Sequence, residues 1–348
     1  MADITKPIDQ QLWANLGYIR SLKDRQFVID VLEARRDFLR LRRREEVAIR
    51  AVYVAAADQV AKDLRRLKPT IGQLTRNHLV ALEKSLRREI QVIDEVVKRQ
   101  TRESITDAVK LSARPIDNQL LRAIREADVG LDVVKLQRGF ADVNTAAVEA
   151  LWQRTHKGLR VSDRIWNNSQ HARQAMRDLV QVGVAAGRDT VQIARDLEQY
   201  VRKGVGTLAE DYPAMMRRMN KRIPRDLSFE ALRLVRTEKA KAYTEGTYSR
   251  GRTSPSYKGS KWMLSDAHPV VDICDTLATQ DLYRLGPGVY PRGEEPVVPH
   301  PNCLCSVVPV LADTADFVND LIAWKNTPSS KPYLEEWYRT VYVPMRAA

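Results

Sequence analysis

The sequence lacks the long apolar runs and the cysteine content that mark several protein classes. Its longest uncharged apolar run is a handful of residues, far below the roughly 20 that cross a bilayer. The first residues, MADITKPIDQQLW, include an acid and no apolar segment, so we expect no signal peptide. Cysteines stand only at positions 274, 303 and 305, too few and too clustered for a disulfide framework. These absences favour a protein kept in a reducing cytoplasm.

Common catalytic and DNA-reading motifs are also missing. Phosphate-binding loops, G-x-S-x-G and H-E-x-x-H sequences do not occur. Five histidines leave few general acids or bases. Neither helix-turn-helix nor zinc-finger spacing with a recognition helix is present. We therefore predict that the protein is not an enzyme, and the alternatives are a metal-dependent nuclease or toxin-like enzyme and a non-specific DNA-binding protein.

What the sequence has in excess is positive charge, and this charge is unevenly spread. The 348 residues carry a net charge of +13. Residues 1–250 hold 48 Lys and Arg against 33 Asp and Glu, a net of +15, whereas residues 251–348 hold 9 against 11, a net of −2. A basic excess attracts polyanions by releasing their condensed counterions. Double-stranded DNA, contacted without sequence preference, is therefore an expected partner, and a solvated basic surface is the alternative.

Apolar residues at helical spacing dominate the first 250 positions. A first stripe is formed by Ile49, Tyr53, Ala56, Val60, Leu64 and Leu67, and a second by Leu79, Leu82, Leu86, Ile90, Ile93 and Val97. Lys68-Pro69 separates them, because proline cannot donate the backbone hydrogen bond of a helix. The two stripes predict an antiparallel helical hairpin. Further along, Gly187 is expected to end a helix, and Asp189 and Ser228 to begin the next two.

Arginine clusters lie along these predicted helices. The planar guanidinium suits phosphate because it donates two parallel hydrogen bonds. Phe38 is the only aromatic residue within the clusters, so stacking on single-stranded bases is not predicted. The residues expected to contact duplex DNA or an acidic protein surface are Arg35, Arg36, Arg40, Arg42, Arg43, Arg44, Arg65, Arg66, Arg87 and Arg88.

The composition changes at Gly251, where prolines, glycines and short β-prone runs appear. The predicted fold is mainly α, with a long helical N-terminal body and a small α+β C-terminal module. The predicted segments are a basic helical hairpin or arm at 1–112, a helical domain at 113–250, the small α+β module with a Cys/His cluster at 251–311, and a C-terminal helix and tail at 312–348.

The small module gathers side chains that bind zinc. Zinc takes four Cys or His ligands tetrahedrally, and closing a loop through the metal stabilises a domain with a small core. The favoured ligands are His268, Cys274, Cys303 and Cys305, with His300 and Asp272 in reserve. Asp275 is a second residue that could ligate or orient a histidine. The alternative is that reduced cysteines pack as small apolar residues and that the histidines bond to loop backbone.

Several short motifs occur in a fixed order between residues 236 and 305. RTE spans 236–238, KGSKW spans 258–262 and PHPNCLC spans 299–305. Together they resemble the C-terminal domain of the phage head morphogenesis family, the phage-Mu-type minor head proteins of tailed bacteriophages. The positions that match the family's motifs are Arg236, Glu238, Trp262, His300, Pro301 and Asn302.

The resemblance implies a virion structural protein, a minor capsid component in the capsid interior or at the portal vertex. Its implied partners are the portal protein, other head proteins and packaged DNA, and its implied role is in head assembly, DNA packaging or ejection. Before assembly it would lie in the host cytoplasm. This chain departs from many relatives in one respect, because they carry a Cys-x-x-Cys pair after the tryptophan strand where it has HPVVDICD at 268–275.

Overall fold

The computed structural model describes residues 16–67, 76–203, 213, 226–265, 268 and 270–345. These residues are mainly helical, with a small antiparallel sheet near the C-terminus, which confirms the predicted fold class. None of the described helices is both long and apolar enough to cross a bilayer.

The elements of the N-terminal two thirds are helices α1 (Leu16–Ser21), α2 (Arg25–Arg66), α3 (Arg76–Ala127), α4 (Val133–Gln153), α5 (Val161–Ala185), α6 (Thr190–Lys203) and α7 (Phe229–Arg252). They are followed by β1 (Tyr257–Met263), α8 (Ile273–Thr279), β2 (Val289–Pro291), β3 (Ser306–Leu311), α9 (Thr314–Asn326) and α10 (Pro332–Trp337). A 3₁₀ turn at Pro328–Ser330 precedes α10, and a π-helical turn at Tyr338–Tyr342 follows it.

The chain divides into two compact units. Unit 1 comprises Met1–Arg43, Glu103–Gln153 and Arg236–Ala348, and unit 2 comprises Arg44–Arg102 and Arg154–Val235. Each unit is discontinuous in sequence, whereas the sequence suggests four consecutive segments. The difference arises because two of the boundaries fall inside the long helices α2 and α3, where composition does not change.

In unit 2 the predicted apolar stripes are buried. The buried members are Ile49, Tyr53, Ala56, Val60 and Leu64 of α2 and Leu82, Leu86, Ile90, Ile93 and Val97 of α3. Asp63 of α2 accepts hydrogen bonds from Ser85 and Arg88 of α3, at 2.7 and 2.9 Å. Leu79 differs from the prediction, since 42% of it is exposed. Helix α2 ends at Arg66, and Lys68-Pro69 lies outside the described residues.

The same two helices also pair in unit 1, and there the order of the contacts shows their direction. Asp30 of α2 accepts from Arg122 of α3 at 2.6 Å, and Asp37 accepts from Arg114 at 2.8 Å. Residue numbers therefore rise in α2 as they fall in α3, as an antiparallel hairpin requires.

Two of the three predicted helix ends have the expected chemistry. Gly187 has φ +71°, and the next amide donates to Gly183 O at 3.0 Å, which is a glycine-ended helix. Asp189 Oδ1 accepts from the backbone of Gln192 at 2.7 Å, so it caps α6. Helix α7 begins directly after Ser228 as predicted, but the Ser228 hydroxyl donates to Asp226 at 2.6 Å.

The sheet of unit 1 has the strand order β2-β1-β3, with both pairings antiparallel. Trp262 of β1 lies opposite Val307 of β3. On the other side, Gly259 lies opposite Pro291 of β2. A Cβ atom at Gly259 would overlap with the carbonyl oxygen of Tyr290, so the close β1–β2 pairing requires glycine at this position.

Each face of the sheet packs on a different part of unit 1, because alternate side chains of a strand point to opposite faces. Trp262 and Val307 lie in a buried cluster with all three cysteines. Met263 and Val308 lie in another cluster with Phe27 of α2. Helix α9 lies in the segment predicted to hold a C-terminal helix, and it packs against the end of α3.

Candidate metal centre

Cys274 is held in the first turn of α8 by a reciprocal cap. Asp272 Oδ1 accepts from the backbone of Cys274 at 2.7 Å, and Asp275 Oδ2 accepts from the backbone of Asp272 at 2.8 Å. With the helix start fixed in this way, the Cys274 side chain is turned inward and is fully buried.

Cys303 and Cys305 lie on the segment that leads into β3. Before them, Asn302 adopts a left-handed backbone conformation, with φ +60°. Its backbone amide donates to the Thr237 hydroxyl of α7 at 3.1 Å, which holds the turn against that helix. The strand itself begins at Ser306, so the two cysteines directly precede it.

The three sulfurs meet in the interior of unit 1. The Cys274 and Cys303 sulfurs are 3.6 Å apart, and all three lie within 4.8 Å of one another. Thiolates about 2.3 Å from a tetrahedral zinc ion lie about 3.8 Å from one another. The cysteines are 0 to 5% exposed. The cluster of Cys274, Cys303 and Cys305 can therefore hold a metal ion with little movement.

His300 presents one ring nitrogen to this cluster. Its Nε2 lies 3.2 Å from Cys274 Sγ and 3.2 Å from Asp272 Oδ2. Its Nδ1 lies 3.0 Å from the Pro301 carbonyl oxygen, which can only accept, so Nδ1 carries a proton. The lone pair of Nε2 then points toward the Asp272 carboxylate and the Cys274 sulfur. That lone pair can bind a metal ion or accept from the Cys274 thiol.

His268 faces carboxylates and has a different set of contacts. Its Nε2 lies 2.9 Å from Asp275 Oδ2 and 3.5 Å from Asp272 Oδ1. Burial lowers the pKa of His268, but the hydrogen bond with Asp275 and the charges of Cys305 and Asp272 outweigh it, so the pKa is raised. His300 thus contacts one sulfur of the cluster, whereas His268 contacts the carboxylates of the α8 cap.

The thiols share their protons. Hydrogen bonds from Cys274 and Cys303 lower the pKa of the Cys305 thiol. The hydrogen bond with Cys303 is the largest cause that raises the pKa of Cys274. One sulfur of the cluster is therefore stabilised as a thiolate by the other two, and thiolate is the form that binds metal.

The predicted centre is thus assembled from the HPVVDICD turn and the PHPNCLC segment, which lie in contact. Comparison of the chain with protein-family models, curated proteins and solved structures finds no match in any of the three. The resemblance to phage minor head proteins therefore rests on the sequence motifs alone.

Two of the motif residues, Trp262 and His300, lie beside the cysteine cluster. Trp262 is buried in the same apolar cluster as the cysteines, and Glu238 is buried on α7, 3.5 Å from Lys241. Arg236 is half-buried, and Pro301 is exposed. Thr237, in the middle of the RTE motif, was not among the residues selected from the sequence, although it joins α7 to Asn302.

The arginines selected for DNA or portal contact separate into three groups. Arg35 and Arg42 are buried, so they do not belong to a surface that DNA or another protein could contact. Arg36 and Arg43 are half-buried. The exposed members are Arg40, Arg44, Arg65, Arg66, Arg87 and Arg88.

Some of the exposed arginines are already paired with carboxylates. Arg65 donates two hydrogen bonds to Glu198, at 2.8 and 2.6 Å. Arg88 contacts both Asp63 and Glu89 at 2.9 Å. The positive charge that these residues offer to a partner is therefore smaller than the residue count suggests.

Arg35 lies instead beside the cysteine cluster. Its Nη2 donates to the carbonyl oxygen of Leu304, between Cys303 and Cys305, at 2.6 Å. Burial lowers the pKa of Arg35, while the charges of Tyr243 and of the two cysteines act in the opposite direction. No local pattern marks this role, because 269 positions separate the two residues.

Proposed function

We propose that the protein is a structural component of a tailed-phage virion, a minor head protein that acts with the portal in head assembly, DNA packaging or ejection. The observation that supports it best is the contact between the two late motifs, where the Cys274 and Cys303 sulfurs are 3.6 Å apart. Motifs that are separate in the sequence thus lie together in the fold. Trp262 is buried with the cysteines, and Thr237 contacts Asn302.

The charge of the helical part supports contact with a polyanion. Six of the ten selected arginines are exposed, and the net charge of residues 1–250 is +15. Packaged duplex DNA or an acidic portal surface is the partner that this charge suits. Sequence-independent contact is proposed, since no base-reading motif was found.

We further propose that the metal is zinc and that its ligands are Cys274, Cys303, Cys305 and His300. Soft thiolates with one imidazole are a donor set that zinc prefers. Four protein ligands leave no position for water, which is typical of a structural site. This closed set is a reason to prefer the virion role over a metal-dependent nuclease. Asp272 would orient the ligands from outside the coordination sphere.

Mass spectrometry of purified phage particles tests the virion role. We expect the chain in particles at a copy number comparable to that of the portal protein and far below that of the major capsid protein. Particles treated with nuclease should retain it, because portal contact does not depend on exposed DNA. Particles that contain portal protein but none of this chain would contradict the proposal.

Paired histidine variants test the ligand set. Cobalt bound in place of zinc has visible absorption that reports its ligands, so His300→Ala should change the spectrum and His268→Ala should leave it nearly unchanged. His268→Ala is expected to weaken zinc binding by about 10-fold, as for residues that only orient ligands. A spectrum altered by His268→Ala alone would restore His268 as the ligand. Wild-type protein that binds neither metal would refute the centre.

A further inference from the structure

Arg35 is a buried cation without a carboxylate partner. Among the described residues it forms no ion pair with Asp or Glu, and its Nε atom is buried without a hydrogen-bond partner. Only Nη2 is bonded, to the Leu304 carbonyl. Buried charges are rare unless paired, because removal from water is costly. The position of Arg35 therefore requires a negative charge nearby.

Another arginine of unit 1 shows how such a charge is normally neutralised. Arg250 is fully buried, and its guanidinium contacts the carboxylate of Asp117. Arg35 is 9% exposed, and the acidic groups that act on it are the Tyr243 hydroxyl and the thiols of Cys303 and Cys305. Of these, the two cysteines flank the Leu304 carbonyl to which Arg35 donates.

We infer that Arg35 is the counter-ion of the metal–thiolate centre, and that metal binding therefore fixes the first part of α2 against the small module. This inference rests on the zinc centre proposed above. Three thiolates and one neutral histidine around a divalent zinc ion leave one net negative charge, and the guanidinium cancels it.

The surroundings of Arg35 suit a guanidinium better than an ammonium group. Its Cζ atom lies 5.3 Å from the centre of the Phe38 ring and 5.9 Å from that of Tyr243. A planar cation can contact aromatic rings while an edge donates to a carbonyl. The Leu304 carbonyl sits between two ligating cysteines, so this hydrogen bond also positions the loop that carries them.

Zinc affinity of Arg35 variants tests the inference. Full-length Arg35→Gln, which retains a donor for Leu304 but no charge, should bind zinc about 10- to 100-fold more weakly in competition with a chromophoric chelator. Arg35→Lys, which keeps the charge, should recover part of that loss. The matched control is Arg40→Gln on the same helix, since Arg40 is exposed and its ion pair among the described residues is with Asp37, at 3.6 Å. The zinc affinity of this control should equal that of the wild type.

Hydrogen exchange of the wild type provides a second test that does not require a variant to fold. Adding zinc should slow amide exchange in residues 30–40 of α2 as well as in the segments that hold the cysteines. Zinc-dependent protection confined to the cysteine segments would overturn the inference, as would equal affinity of Arg35→Gln and the wild type. Those results leave the zinc centre intact, whereas wild-type protein without zinc refutes both.

Discussion

Cys274→Ser is expected to abolish tight zinc binding and to make the unfolding of the protein insensitive to chelators. Cys274 is the proposed ligand that connects the others, because its sulfur is close to both Cys303 and His300. A serine hydroxyl is not ionised at neutral pH and is a poor zinc ligand. Zinc at about 1,000 times its dissociation constant stabilises a folded protein by about 4 kcal/mol, and this contribution is lost in the variant.

Thermal unfolding with and without a chelator measures that contribution. The chelator should lower the midpoint of the wild type and leave that of Cys274→Ser unchanged, and the two should coincide approximately once metal is removed. Met263→Leu is the matched control, since Met263 is buried on the other face of the sheet and Met-to-Leu changes usually cost little. This control should keep the full chelator response. A wild type that ignores the chelator would show that the cysteines pack only as apolar groups.

The helices were predictable because their signal is local and repeated. The stripe from Ile49 to Leu64 appears at helical spacing, and all five selected positions in this range are buried. Gly187 and Asp189 act at the positions where the backbone needs a left-handed residue and a side-chain acceptor. The two-unit division was not predictable, since α2 and α3 run across its boundaries without any change of pattern.

The candidate site was predictable in part. Motif spacing placed Cys274, Cys303 and Cys305 in one small module, and their sulfurs are in fact together. The choice between the histidines depended on contacts that spacing does not reveal. His268 is drawn to Asp275 by the cap of α8, while the turn at Pro301 fixes the proton of His300 on the nitrogen away from the cysteines.

The position of Arg35, in contrast, could not be predicted from the sequence. Within an arginine-rich helix it resembles its neighbours, and charge pattern alone suggests a surface that contacts phosphate. Its contact with Leu304 joins the first long helix to the last strand region of unit 1. Only the tertiary fold distinguishes a buried counter-ion of this kind from an exposed basic residue such as Arg40.

Arg250→Met is expected to be the most damaging single change outside the cysteine cluster. The guanidinium is fully buried, contacts Asp117, donates to the Thr253 hydroxyl at 2.6 Å and lies 3.6 Å from the centre of the Phe140 ring. Methionine fills much of the space but leaves the Asp117 carboxylate unpaired. Removing one member of a buried ion pair typically costs about 3 to 5 kcal/mol. We expect about 3, because the Asp117 side chain keeps 19% exposure.

The loss of stability in Arg250→Met should depend on pH, in a direction set by the Asp117 carboxyl group. Burial raises the pKa of Asp117, and the attraction of Arg250 opposes that rise, so the pKa should rise further in the variant. A carboxyl whose pKa is raised by folding destabilises the protein as pH increases through that range. Denaturant unfolding of Arg250→Met should therefore show a larger deficit in unfolding free energy, relative to the wild type, at pH 7 than at pH 4.5.

Two further variants serve as controls. Adding Asp117→Asn to Arg250→Met should recover part of the lost stability at pH 7. Arg339→Met, which removes an exposed ion pair within a helix, should have little effect. A deficit that is the same at both pH values and in the double variant would mean that lost packing around Phe140, and not an unpaired charge, accounts for the damage.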